Sequence, residues 1–139
     1  MGKDREMEVL FRGQRKSDKK WIFGNMVKTD NAVYIIQNYV PESELGEYEV
    51  YPDSVGQSVD LTAEDEKKIF TKDIIELTVF DKDGLDTQHI CEVVFDQCGV
   101  YFINGNKEEY FSFEDMQFMD TESDIRIIGN MIDNPELMK

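Results

Sequence analysis

The chain has one histidine, His89, and two cysteines, Cys91 and Cys98, all within a ten-residue stretch. An imidazole and two thiolates are three ligands of the kind zinc takes. On a strand, His89 and Cys91 point to the same side, about 6.6 Å apart along the strand. The spacing does not match a pair-and-pair zinc pattern, so no metal is expected. Cys91 then reads as a small apolar core residue and His89 as a rim residue. His89 would also have to serve any Ser-His-Asp triad, and there is no G-x-S-x-G elbow to go with it. Asp81, Asp83 and Asp86 around Gly84 are laid out like a calcium loop. However, Val79 stands where the first Asp belongs and Ile90 where the bidentate Glu belongs. The acid pairs Glu108-Glu109 and Glu114-Asp115 are sequence neighbours. On a strand neighbours face opposite ways, so they read as solvated surface. No catalytic residue, cofactor or metal is predicted, and a small-molecule enzyme is the least favoured class.

Arg12, Arg15, Lys16, Lys19 and Lys20 lie between Phe11 and Trp21. Cations beside aromatic rings suit phosphate contact with base stacking. They equally suit an exposed hairpin tip, or a clasp on an acidic surface of the same chain or of a neighbour. Charge favours the second set. The net charge is −15. Residues 1–28 carry eight Lys/Arg and four Asp/Glu, a net of +4, whereas residues 29–139 carry seven and twenty-six, a net of −19. Such a body repels nucleic acid beyond a Debye length of ~8 Å. Arg12, Arg15, Lys16, Lys19, Lys20 and Trp21 are therefore a predicted contact for a partner other than nucleic acid. Met131, Ile132, Leu137 and Met138 form an apolar cluster near the C-terminus, where a segment frays unless it docks. They are the predicted contact between copies in a homo-oligomer.

The elements that must carry these residues are mostly strands. Hydrophobic residues make up 40% and aromatics 12%, enough for a folded core. Period-two alternation predicts strands at Met7–Phe11, Trp21–Val27, Ala32–Gln37, 74–80, Gln88–Phe95, Val100–Ile103, Glu109–Phe113 and Ile125–Ile128. Gly13–Lys20 reads as a polar, turn-rich connection. Residues 38–60 look irregular, with a short edge strand at Glu47–Tyr51 that Pro52 should end. Thr62 heads a turn or short helix. Asp81–Gly84 and Asn104-Gly105 have hairpin-turn chemistry. Asn134–Leu137 suits a final helical turn with Pro at its first position. No linker separates two domains, so a single domain over 1–139 is predicted. No stretch has the ~20 apolar residues of a membrane helix, and the first residues lack a secretory core, which makes cytoplasm the expected location.

Four blocks, in order, are similar to the YopX-like family of phage and prophage proteins. They are Glu8–Gly13 followed by Trp21–Asn25; Asp53–Gln57; Lys67–Ile74, similar to the family's K-E-I-Y-E-G-D-I; and Ile127–Leu137, similar to its V-I-G-N-I-Y-E-N-P-E-L. Two departures concern turns. Val59–Glu66 replaces the family's T-G-L-x-D-x-N-G without either Gly, and Lys72 stands at the Gly of E-G-D. Lys tolerates positive φ poorly, so local turn geometry is expected to change there. The resemblance implies a mainly β fold, with a small SH3-like barrel core, additional hairpins and short helical turns. It also implies an accessory role in a mobile element within the bacterial cytoplasm, and supplies no reaction. Self-association or binding to another protein is the expected mode of action. The alternative is an acidic decoy that imitates nucleic acid and occupies a basic host protein.

Overall fold

The computed structural model describes residues 10–80, 84–96, 99–104, 110–112 and 122–138. The fold is mainly β, with two antiparallel sheets. The chain divides into two compact units, residues 1–60 and 61–139.

The first unit contains β1 (Phe11–Gln14), β2 (Trp21–Lys28), β3 (Val33–Ile36), β4 (Glu49–Val50) and β5 (Gly56–Thr62), whose last residues enter the second unit. The strand order is β4-β3-β2-β1-β5. β2 changes partner midway. Trp21–Gly24 pair with β1, and Asn25–Lys28 pair with β3. The change falls at Gly24, where a Cβ would collide with the Ile36 carbonyl oxygen. Only glycine lets the strand bend that close to its neighbour. The end of β1 reaches β4 in turn. Arg15 forms an isolated bridge with Val50, the Lys16 N–H donates to the Glu49 carbonyl at 2.9 Å, and the Tyr51 N–H donates to the Gln14 carbonyl at 3.0 Å. Val33, Ile35 and Val50 form the buried core, with Phe11, Ile22 and Val55 packed around them. No continuous ladder closes either sheet into a barrel among the described residues.

β1 runs on to Gln14, so part of the predicted polar connection is strand. The Met7–Val9 portion of the predicted first strand lies outside the described residues. The irregular stretch contains two 3-10 segments, Glu42–Tyr48 and Pro52–Ser54, with β4 between them. Pro52 does end β4. β5 carries only Val59 and Leu61 as large apolar residues, and so does not look like a strand in sequence. Its polar positions bond across the sheet instead: the Ser58 hydroxyl accepts from the Leu10 N–H at 3.1 Å.

The second unit adds β6 (Lys68–Phe70), β7 (Asp73–Phe80), β8 (Asp86–Asp96), β9 (Gly99–Asn104), β10 (Tyr110–Ser112) and β11 (Glu122–Asn130). The last five form a sheet in the order β10-β9-β8-β7-β11. Alternation sets its buried face. Ile75 faces Cys91 across β7–β8, and Val93 faces Phe102 across β8–β9, all four buried. Phe95, predicted on the Cys91 face, is 51% exposed near the end of β8. Pairing resumes at Tyr110↔Ile103, while residues 105–109 of that connection lie outside the described residues, as do Asp81–Asp83. Of the two forms expected after Thr62, the chain takes the turn, closed by the Glu66 N–H on the Ala63 carbonyl and the Ala63 N–H on the Lys67 carbonyl, both at 2.9 Å.

The two turns that lack the family's glycines each have a left-handed residue. Glu66 has φ 67° and Lys72 has φ 73°. Both adopt positive φ despite carrying a Cβ. At Lys72 the neighbours enforce it: the Asp73 carboxylate accepts from the Phe70 N–H at 2.8 Å, and Lys72 bonds Val93 and Met131 through its backbone N–H and carbonyl.

Candidate functional site

The predicted basic contact does not form one patch. Arg12 is buried at 9% exposure, and its guanidinium lies 4.9 Å from the centre of the Trp21 ring. This follows from its place in β1, opposite Phe23 of β2 and Gly56 of β5. Arg15 donates from Nε to Asp18 Oδ1 at 3.0 Å and from a terminal nitrogen to Oδ2. That fork holds the Asp18 carboxyl well below the usual carboxylate range, helped by the Lys20 N–H, and raises the Arg15 pKa. Lys16 Nζ donates to Glu49 Oε2 at 2.8 Å, which raises its pKa, and lies 5.9 Å from the Tyr51 ring. Lys19 and Lys20 remain exposed, with Lys19 at φ 62° in the turn. Arg12, Arg15 and Lys16 thus have partners within their own unit, while Lys16, Lys19 and Lys20 are exposed.

The C-terminal cluster is tied to its own unit. The Met131 N–H donates to the Lys72 carbonyl at 2.8 Å. Asn130 Oδ1 accepts from the N–H groups of Ile132 and Asp133, at 2.9 and 2.8 Å, and fixes the turn before the 3-10 segment Pro135–Met138. That segment packs beside β8. Met131, Ile132 and Met138 are half-buried, and Leu137 is 39% exposed.

The residues with the most chemical potential are occupied by structure. Cys91 is fully buried as a free thiol, and His89 Nε2 lies 3.1 Å from the Thr87 hydroxyl. The His89 ring sits 4.7 Å from Phe111, tilted by 52°. Cys98 lies outside the described residues. No group of three or more His, Cys, Asp or Glu side chains suited to a metal occurs among the described residues. No helix among them is long and apolar enough to cross a membrane.

Sequence reasoning missed a cleft in the first unit. It has a volume of about 330 Å³ and a mixed lining, in which Gln37 and Asn38 stand among Ile22, Phe23, Ile35, Tyr39, Val40 and Tyr48. Its position follows from the bend at Gly24. β2 leaves β1 there, β3 ends at Ile36, and the chain passes over the gap before entering the 3-10 segment. Gln37 Nε2 donates to the Phe23 carbonyl at 3.1 Å and holds the two strands together at the edge of the cleft. Ile35 is 1% exposed, whereas Phe23 is 39% and Tyr39 is 87% exposed. The 3-10 segment Glu42–Tyr48 packs against β3 and carries Glu42, Glu44 and Glu47, all exposed. Residues 38–54 contain five acids and no Lys or Arg. The sequence sign was an exposed aromatic, Tyr39, between a strand and Pro41. A lone aromatic in an irregular stretch does not reveal a cleft, because the opposite wall comes from β2.

Two antiparallel sheets and an open cleft with aromatic walls define a mainly β protein. The chain belongs to the YopX protein family, which matches residues 10–139. Among solved structures, it is similar to protein EF1440 from Enterococcus faecalis in its crystal structure. The two are 17% identical with a TM-score of 0.50, over 96% of this chain and 100% of that one. At that identity the likeness concerns the fold alone. No curated protein matches the chain.

Proposed function

We propose that this YopX-family chain is a non-enzymatic phage or prophage accessory protein of the bacterial cytoplasm that acts by binding another protein. The observation that carries this reading is the cleft of the first unit, with Tyr39 at 87% exposure on its rim. A large aromatic side chain left in water beside an open hollow that mixes apolar and amide groups suits a surface that a partner covers. The full burial of Cys91 removes that thiol as an accessible nucleophile. The two units are taken as one functional YopX-like domain over 1–139, since the family match runs through both.

The finer fold reading is a small SH3-like barrel in the first unit. Three features support it: the order β4-β3-β2-β1-β5, the exchange of partners by β2 at Gly24, and the 3-10 segment Pro52–Ser54 between β4 and β5. The Arg15–Val50 bridge brings the first and fourth strands together, as barrel closure requires. Self-association is a second form of the same reading, favoured by the exposure of Leu137.

Affinity capture from bacterial lysate with mass spectrometry tests the proposal, comparing the wild-type chain with Tyr39→Ala. Stoichiometric partner protein on the wild type and its loss on the variant are expected. Equal capture by both would favour the acidic decoy, which needs net charge and no cleft. No partner on either would contradict the proposal.

A further inference from the structure

We infer that the cleft takes an extended peptide segment that places an apolar side chain over Ile35 and an adjacent Lys or Arg on the carboxylates of Glu42, Glu44 and Glu47; this rests on the protein-binding reading above. Shape supplies the first argument. The cleft floor is buried at Ile35, but Tyr39 and Phe23 extend the apolar surface onto its rim. Tyr39 lines the cleft yet is 87% exposed, so a ligand confined to about 330 Å³ would cover only the part of the ring turned to the cleft. A chain that runs past both ends of the cleft covers it, and aromatic-lined grooves take extended segments in this way.

Charge supplies the second argument. Arg15 and Lys16 are both paired outside the 3-10 segment, with Asp18 and with Glu49. Arg15 reaches Glu47 only as a weaker, longer-range influence. Glu42, Glu44 and Glu47 have no ion pair among the described residues, and they stand on the segment that contributes Tyr48 to the cleft. A cationic residue on the ligand would meet three carboxylates without an ion pair among the described residues. Such pairs at a rim choose the sign of the partner and speed encounter, while the buried apolar contact supplies most of the affinity. An acidic segment would be repelled by the same three groups.

Panning a displayed library of random dodecapeptides on the full chain tests this inference, with the Tyr39→Ala chain as counter-selection. Enriched peptides are then titrated by fluorescence anisotropy against the wild type, Tyr39→Ala and the triple variant Glu42→Gln/Glu44→Gln/Glu47→Gln. All four positions are exposed, and circular dichroism confirms that each variant stays folded. Enriched peptides should carry Lys or Arg beside an apolar residue. Their affinity should fall about tenfold in Tyr39→Ala and about tenfold in the triple variant, with a reduced dependence on salt. Neutral or acidic peptides that bind at the cleft would overturn the inference and leave the protein-binding reading intact. Cationic peptides whose affinity is unchanged by Tyr39→Ala would also overturn it. Failure to enrich any peptide would overturn both.

Discussion

Gly13 and Val50 leave no space between them: a Cβ on residue 13 would lie 2.9 Å from both Cβ and Cγ2 of Val50. Val50 has no exposure to solvent and is part of the buried core, so it has nowhere to retreat. The contact permits β1 to approach β4, and the Arg15 bridge and the Lys16–Glu49 ion pair follow from that approach.

Gly13→Ala should therefore destabilise the first unit. Overpacking of a buried site costs roughly 1–3 kcal/mol. Urea unfolding followed by Trp21 fluorescence reads the effect, since Trp21 pairs with Gln14 beside this contact. An unchanged midpoint would mean that β1 and β4 do not touch as described.

Lys72→Gly and Glu66→Gly should each raise stability. Both residues hold φ near +70°. That region costs a residue with a Cβ about 1–2 kcal/mol, and the greater freedom of glycine in the unfolded chain returns part of the gain. A net rise of about 0.5–1 kcal/mol is expected for each variant, read as a shift in melting temperature. A fall in both would contradict the left-handed assignment.

The Arg15–Asp18 pair should give an acid-sensitive contribution to stability. The folded pKa of Asp18 lies below its ordinary value of 3.8. The unfolded chain therefore takes up the proton first as pH falls. The contribution is complete above the unfolded value and is lost as pH drops below it toward the folded value. Asp18→Asn should remove this part of the pH dependence below about pH 4. Because the pair is exposed, high salt should shrink the difference between variant and wild type. Identical acid denaturation curves at low salt would contradict this assignment.

The C-terminal turn makes a separate prediction. Light scattering on the full chain should give a mass above the 16.2 kDa of one copy, and Leu137→Asp should return it to that mass. Leu137 is the exposed member of the predicted cluster, at 39%, so this change disturbs the interior least. A wild-type monomer would end the idea of self-association through this segment.

Much of the fold was legible in sequence where alternation sets burial. Ile75 and Leu77 on β7, and Cys91 and Val93 on β8, fell on the predicted faces. β5 was not legible because its apolar residues are sparse. The placement of β11 beside β7 was not legible either, because that choice depends on a long-range contact. The site was the least legible part. Arg12 looks like a loop cation, yet its neighbours Phe23 and Gly56 place it inside a sheet. Ile22 and Phe23 are separated by more than ten residues from Tyr39 and Tyr48, and only the bend at Gly24 brings them to one cleft.

Site-specific photocrosslinking at Tyr39 tests the central claim most directly. A photoreactive phenylalanine analogue takes the place of Tyr39 in one chain and of Leu85, 68% exposed in the second unit, in another. Both are irradiated in bacterial cells, and adducts are resolved by mass. A discrete protein adduct at position 39 and none at position 85 is the predicted result. Adducts at both positions alike, or none at position 39, would contradict the assignment of the cleft as the protein-binding site.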